Sequence, residues 1–173
     1  LQDAQTGLPS YDWGDGKING QQRSVFAGSN PICSNQLDKS YAEGNNLNTT
    51  GFAEIRFLRD FKFTTTNSVM LNESRGTSTQ QPYFGQFASQ NGIVSKSHGR
   101  EWSYNYQQIL NWHRLFGKHD VEIMLGHEYY RTRYYILSAS KSNMYSFLND
   151  ELAGAVTDGT MDSYTTDYNT EGF

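Results

Sequence analysis

The stretch "REWSYNYQQILNWHRLFGKHDVEIMLGHEYY", residues 100–130, decides the fold. It holds His113, His119 and His127, three of the chain's four histidines, with Glu128 beside the last. Read for chemistry, it suggests a zinc site. Read for periodicity, it is two strands and a turn. The even positions are Arg100, Trp102, Tyr104, Tyr106, Gln108, Leu110, Trp112 and Arg114. The odd positions are Glu101, Ser103, Asn105, Gln107, Ile109, Asn111 and His113. One face is aromatic and apolar and the other polar, the period-two signature of a strand. After a turn at "FGKH" (116–119), Val121, Ile123, Leu125 and Tyr129 share one face. Glu122, Met124, Gly126, Glu128 and Tyr130 take the other.

Strand geometry removes the metal. His119 and His127 are separated by about 26 Å along a straight strand, whereas zinc ligands lie about 2.0–2.3 Å from the ion. A helical HExxH site needs a second histidine after "HE", and none follows at that spacing. Glu122 and Glu128 are about 20 Å apart on a strand, too far for a glycosidase pair, which needs roughly 5–9.5 Å. No nucleophile or acid/base constellation appears elsewhere, so an enzyme is not expected. No metal and no cofactor is assigned.

The same alternation recurs upstream. In "NLNTTGFAEIRF" the better face is Leu47, Thr49, Gly51, Ala53, Ile55 and Phe57. A two-residue turn is expected at Arg59-Asp60. Phe61, Phe63, Thr65, Val69 and Leu71 then share one side of a second strand, rich in β-branched residues. The expected organisation is residues 1–45 as an extracellular loop region, 46–73 as a β-hairpin and 74–98 as an extracellular loop. A second β-hairpin follows over 99–137, then an extracellular loop and the start of the next strand over 138–173. Strands of 15–19 residues span about 50–60 Å, far beyond the usual 5–6 residues. Very long strands, tight turns at one end and long loops at the other indicate an all-β fold of antiparallel hairpins from a transmembrane β-barrel. Trp102, Tyr104 and Trp112 are the expected membrane girdle, with Gln108 a polar interruption between them.

Composition agrees. Only 36% of residues are hydrophobic, which excludes a large conventional core, while 14% are aromatic, which argues against simple disorder. A net charge of −4 and the lack of a basic cluster exclude a nucleic-acid partner. Cys33, the one cysteine, allows no internal disulfide. No apolar run reaches the roughly 18–20 residues of a membrane helix. Both ends read as cut from something longer. The loop "DWGDGKING" (12–20), with Asp12, Asp15 and Asn19, falls short of a calcium loop because Gly14 breaks the acidic alternation and no Glu closes it. It reads as a turn cluster.

A family resemblance enters with particular words. "TGFAEIRFLRDFKFTTTNSV", "YFGQFASQNGIVSKSHGR", "WSYNYQQILNW", "FGKHDVEIMLGHEYY", "SKSNM", "ELAGAVTDG" and "SYTTDYNTEGF" stand in that order over most of residues 46–173. Together they resemble the SusC/RagA family of TonB-dependent outer-membrane proteins of Bacteroidetes-type bacteria. The resemblance implies an internal fragment of a plugged barrel of about 22 strands. It implies location in the bacterial outer membrane and uptake of oligosaccharides or peptides. It also implies a SusD-like lipoprotein partner and contact with outer-membrane lipid. Coupling to TonB would pass through parts of the whole protein that this chain does not match. Four complete strands and the start of a fifth are expected.

Ligand contact is expected from the long loops, where Tyr83, Phe84, Phe87 and Tyr145 stand among Gln, Asn and Ser. Flat rings beside amides suit stacking on sugars, and binding residues concentrate on loops. The competing reading is a soluble β-sandwich that binds carbohydrate with the same aromatics. The two differ in the fate of face 102–112. A barrel leaves it bare to lipid; a sandwich buries it under a second sheet.

Overall fold

Five long strands form one sheet in the order β1-β2-β3-β4-β5, each beside its neighbour in sequence. They are β1 (Lys39–Phe57), β2 (Phe61–Gln80), β3 (Ile93–Phe116), β4 (His119–Met144) and β5 (Ala155–Gly172). A computed structural model describes residues 7, 9–12, 16, 20, 22, 30–85 and 87–173. Asp15 and Asn19 of the turn cluster lie outside the described residues. One short helix, α1 (Pro31–Leu37), precedes β1.

The strands overrun the bounds expected from alternation. The first hairpin occupies 39–80 rather than 46–73, and the second 93–144 rather than 99–137. The connections shrink accordingly to residues 81–92 and 145–154. β5 runs to Gly172 as a full strand of 18 residues. The extra strand lengths are "KSYAEGN", "SRGTSTQ", "IVSKSH", "SASKSNM" and, in β5, "AVTDGTMDS", mostly polar and Gly/Ser/Thr-rich. Apart from Val94, Met144 and Ala155, which form a small core, they lack apolar alternation. The backbone ladder holds most of their length extended, and a hydropathy pattern does not register it.

The region 1–45 is likewise not all loop. Asn30 caps α1, its Oδ1 accepting from the N–H groups of Ile32 (3.0 Å) and Cys33 (3.2 Å). Pro31 occupies the first helical turn. Asn followed by Pro reads as a turn in isolation, yet it is also how a helix begins.

The chain divides into two units. One comprises residues 1–43, 75–98 and 137–162. It holds a small core of Val94, Met144 and Ala155, with Phe147 and Leu152 packed on it. The other comprises residues 44–74, 99–136 and 163–173. Among the described residues, every buried hydrophobic side chain belongs to the first unit. In the second, Leu47, Phe52, Ile55, Ile123 and Leu125 are all more than half exposed.

Two turns differ in quality. Gly117 (φ +64°) sits at the β3–β4 turn, where the left-handed conformation costs glycine nothing. The β1–β2 turn spans residues 58–60, one position earlier than the expected Arg59-Asp60 pair. Leu58 (φ 50°) and Arg59 (φ 62°) are both left-handed there, as in a type I′ turn. Each non-glycine residue in that conformation costs about 1 kcal/mol. Replacing the pair as Leu58→Asn with Arg59→Gly is therefore expected to stabilise the detergent-folded chain by about 1–2 kcal/mol. A raised urea midpoint with unchanged slope checks it.

Candidate functional site

Side-chain contacts in the second unit sort the strands into two faces. On one, Trp102 stacks on Tyr104 (centroids 5.5 Å), and Tyr104 meets Tyr106 (5.7 Å) and Tyr129 of β4 (5.7 Å). Trp112 leans on Phe116 (6.1 Å), and Phe57 stacks on Phe61 (5.4 Å). Even residues of β3 thus share this face with odd residues of β4. The expected girdle residues Trp102, Tyr104 and Trp112 all lie on it, each half-buried among neighbouring rings.

The opposite face is a polar network. Asn46 donates to Asn72, and Asn72 Nδ2 donates to Glu101 Oε2 (3.3 Å). Thr132 donates to the other Glu101 oxygen (3.4 Å), and Asn105 Nδ2 to Glu128 Oε1 (2.8 Å). Lys62 pairs with Glu54 (3.2 Å), and the Thr50 and Ser68 hydroxyls meet at 2.9 Å. The sheet therefore has one amphiphilic partition carried across β1 to β4.

β5 departs from it. Asp167 lies on the aromatic face, held by Arg131 (Nε–Oδ1 2.9 Å), and Glu171 lies there against His127 Nε2 (2.9 Å). Tyr164 faces the polar side, against Tyr134 (6.2 Å). Both of these acids are matched to a base, which lowers the cost of placing them among apolar side chains.

The histidines do not converge. His113 Nε2 meets Asp120 (2.6 Å) on the polar face, while His127 meets Glu171 on the aromatic one. Among the described residues no group of three or more His, Cys, Asp or Glu is placed to hold a metal ion.

Dimensions give the aromatic face its meaning. Trp102 and Trp112 share one side of β3, ten residues apart. That is about 34 Å along the strand, or roughly 24–28 Å along the normal at a tilt of 35–45°. The apolar band of an outer-membrane barrel is about 25 Å tall.

In the first unit the loop aromatics separate into two kinds. Tyr83 is in edge contact with Phe147 (6.1 Å) and tilted against Phe84 (6.3 Å). Phe84 in turn meets Tyr11 (5.7 Å). Buried Gln81 fixes this turn, its Oε1 accepting from the N–H groups of Tyr83 and Phe84, both at 2.8 Å. Its Nε2 donates to the Phe84 carbonyl (2.7 Å). Phe87, half-buried, precedes a 3-10 turn at Ala88–Gln90. Tyr145 is different: it is 82% exposed. Tyr11 and Phe147 complete the cluster. Phe147 was visible in the sequence as an apolar exception among polar loop residues, whereas nothing local marks Tyr11.

The 145–154 connection is tethered too. Tyr41 donates to Asp150 (2.8 Å), and that hydrogen bond holds the Asp150 carboxyl below its ordinary range. Lys96 pairs with Glu151 (2.7 Å). Beside it, small side chains including Ser40, Ala42, Ser95, Ser97, Ser138 and Ser140 line an open concavity of about 510 Å³. They share the strand parity of the polar network. The repeated S-x-S words at 95–97 and 138–140 are its sequence signal.

The fold is all-β, a set of long antiparallel hairpins of the transmembrane-barrel type. It is similar to a chain of the RagAB peptide importer in the "open-open" state, at 18% identity and TM-score 0.72, over 88% of this chain and 17% of that one. For the "closed-closed" state the values are 19%, 0.70, 78% and 15%. For a further structure of the RagAB peptide transporter they are 18%, 0.73, 88% and 17%. The chain thus spans less than a fifth of the length of these chains. No family model and no curated protein matches it.

Cys33 is fully buried, and burial, followed by the nearby Asp38 charge, pushes its thiol up to about 11. Since the thiolate is the nucleophile, iodoacetamide at pH 8 is expected to label native Cys33 at least tenfold more slowly than the urea-unfolded chain. Mass spectrometry of timed aliquots reads both rates.

Proposed function

We propose that this chain forms part of the wall and outer loops of a SusC/RagA-like, TonB-dependent outer-membrane importer of oligosaccharides or peptides. One observation carries the reading: a long-stranded sheet whose aromatic face stands bare over a height matching a bilayer's apolar band. The similarity to RagAB chains, described as a peptide importer, supports it. In this reading Trp102, Tyr104 and Trp112 lie at the two lipid interfaces. The polar network of Glu101, Asn105 and Glu128 faces the lumen. The 81–92 and 145–154 connections point outward, toward ligand and a SusD-like lipoprotein, and TonB acts through other parts of the whole protein.

The loop geometry ranks the four candidate ligand residues. Tyr83 and Phe84 are engaged in packing the connection, so their removal would unseat the loop. Tyr145 has a free ring and is the residue for direct contact. In the whole transporter, Tyr145→Ala is expected to weaken substrate binding about fivefold, the equivalent of an aromatic contact of about 1 kcal/mol. Barrel abundance in the outer membrane should not change. Equal affinity for variant and parent removes Tyr145 from the ligand site.

The sandwich alternative makes the opposite forecast about solvent. A face this apolar, with unpaired strand edges, is expected to self-associate in plain buffer and disperse in detergent micelles. Light scattering with and without detergent reads this. A monodisperse, cooperatively unfolding monomer in detergent-free buffer overturns the membrane reading.

A further inference from the structure

One concavity of the second unit fits neither the lipid band nor the lumen. It measures about 290 Å³ and is lined by Arg100, Trp102, Arg133, Tyr135 and Thr165. It opens on the side that carries Trp102, the aromatic side, yet two of its five residues are arginines. Both are exposed. Arg131 and Asp167 lie alongside, and Asp167 is already bound by Arg131. Counting Arg100, Arg131, Arg133, Asp167 and also Glu73, which the β2–β3 register places across from Arg100, three positive charges face two negative, a net of +1.

A lipid-facing surface should not hold excess positive charge unless something negative meets it. Position says what that is. Arg100 lies two residues beyond Trp102, toward the 81–92 connection rather than the tight turn. Two residues along a tilted strand place it about 5 Å past the aromatic girdle, at headgroup depth. With the longer connections outside, this is the outer leaflet. Guanidinium forks suit phosphate oxygens, and Trp102 with Tyr135 offers flat apolar walls for the part of the lipid beneath.

We propose that this concavity binds the phosphorylated headgroup of an outer-leaflet lipid, with Arg100 and Arg133 as the phosphate ligands and Trp102 and Tyr135 flanking the glycerol or sugar. The inference rests on the membrane reading above. Phosphate oxygens would form charge-assisted hydrogen bonds with both guanidinium groups, while the Thr165 hydroxyl would supply a neutral donor at the rim. Bound there, the lipid would fix the wall's depth in the outer leaflet.

The test uses the whole transporter reconstituted in nanodiscs of zwitterionic lipid doped with a phosphorylated outer-membrane glycolipid. Native mass spectrometry after release counts retained glycolipid. The parent is expected to retain it, and the R100Q/R133Q double variant to retain at least fivefold less. The polar-face variant Lys62→Gln should match the parent. Equal retention by the double variant and the parent overturns the inference. So does equal retention, by the parent, of a dephosphorylated glycolipid. Failure of the parent to enter nanodiscs at all is a distinct result that overturns the membrane reading together with this inference. Circular dichroism of the double variant, expected to match the parent's β-sheet signal, keeps misfolding separate from lost binding.

Discussion

The structure depends on backbone hydrogen bonds between neighbouring strands. In the 44–74, 99–136 and 163–173 unit, no hydrophobic side chain among the described residues is buried. The usual source of stability, apolar surface withdrawn from water into a core, is missing there. What holds 18 to 26 residues extended in each of β2 to β5 is the ladder that joins each strand to the next. Such a ladder is weak in water, where exposed amides have solvent as an alternative. It is strong in hydrocarbon, where an unpaired amide costs several kcal/mol. On that physics, a sheet held by its ladder alone gains more in hydrocarbon than in water.

Side-chain chemistry then follows from solvent on each face. Aromatic and aliphatic residues gather where odd β4 positions meet even β3 positions. Amides, hydroxyls and carboxylates gather on the reverse, several of them tied to a neighbour. The exceptions obey the same rule. His127 and Glu171 are polar groups on the aromatic face and meet each other at 2.9 Å. Arg131 and Asp167 do the same. Arg100 and Arg133, on the same face, are the exceptions on which the headgroup proposal rests.

Legibility in the sequence tracked that same solvent logic. Residues 100–130 were readable because their two faces differ in side-chain chemistry, so apolar and polar side chains alternate. The turn at Gly117-Lys118 was readable because glycine marks a left-handed position. The turn at 58–60 was misplaced by one residue, since Leu58 and Arg59 adopt that conformation without the usual glycine or asparagine. The strand ends at 39–45, 74–80, 138–144 and most of β5 were unreadable, because small polar side chains on both faces leave no periodicity to detect. At the candidate site, the placement of Trp102, Tyr104 and Trp112 on one face came from alternation. The Tyr11–Phe84–Tyr83–Phe147 cluster joins residues far apart in the chain and needed coordinates.

The sheet's two edges extend the argument. Among the described residues, β1 and β5 each pair with one neighbouring strand and present an open edge of backbone N–H and C=O groups. In water such an edge recruits other strands, and natural sheets blunt it with charge, proline or brevity. β1 is 19 residues long, carries no proline and includes the exposed apolar residues Leu47, Phe52 and Ile55. It is not blunted. In a bilayer an open edge has no water to satisfy it, so a spanning sheet must close or pair at both sides. An undefended edge on a strand this long therefore argues that β1 is built to lie against another strand. On the proposed membrane reading, the bare aromatic face and the bare edge are two consequences of one design: a sheet whose stability is completed by its surroundings, lipid against the face and further strands against the edges.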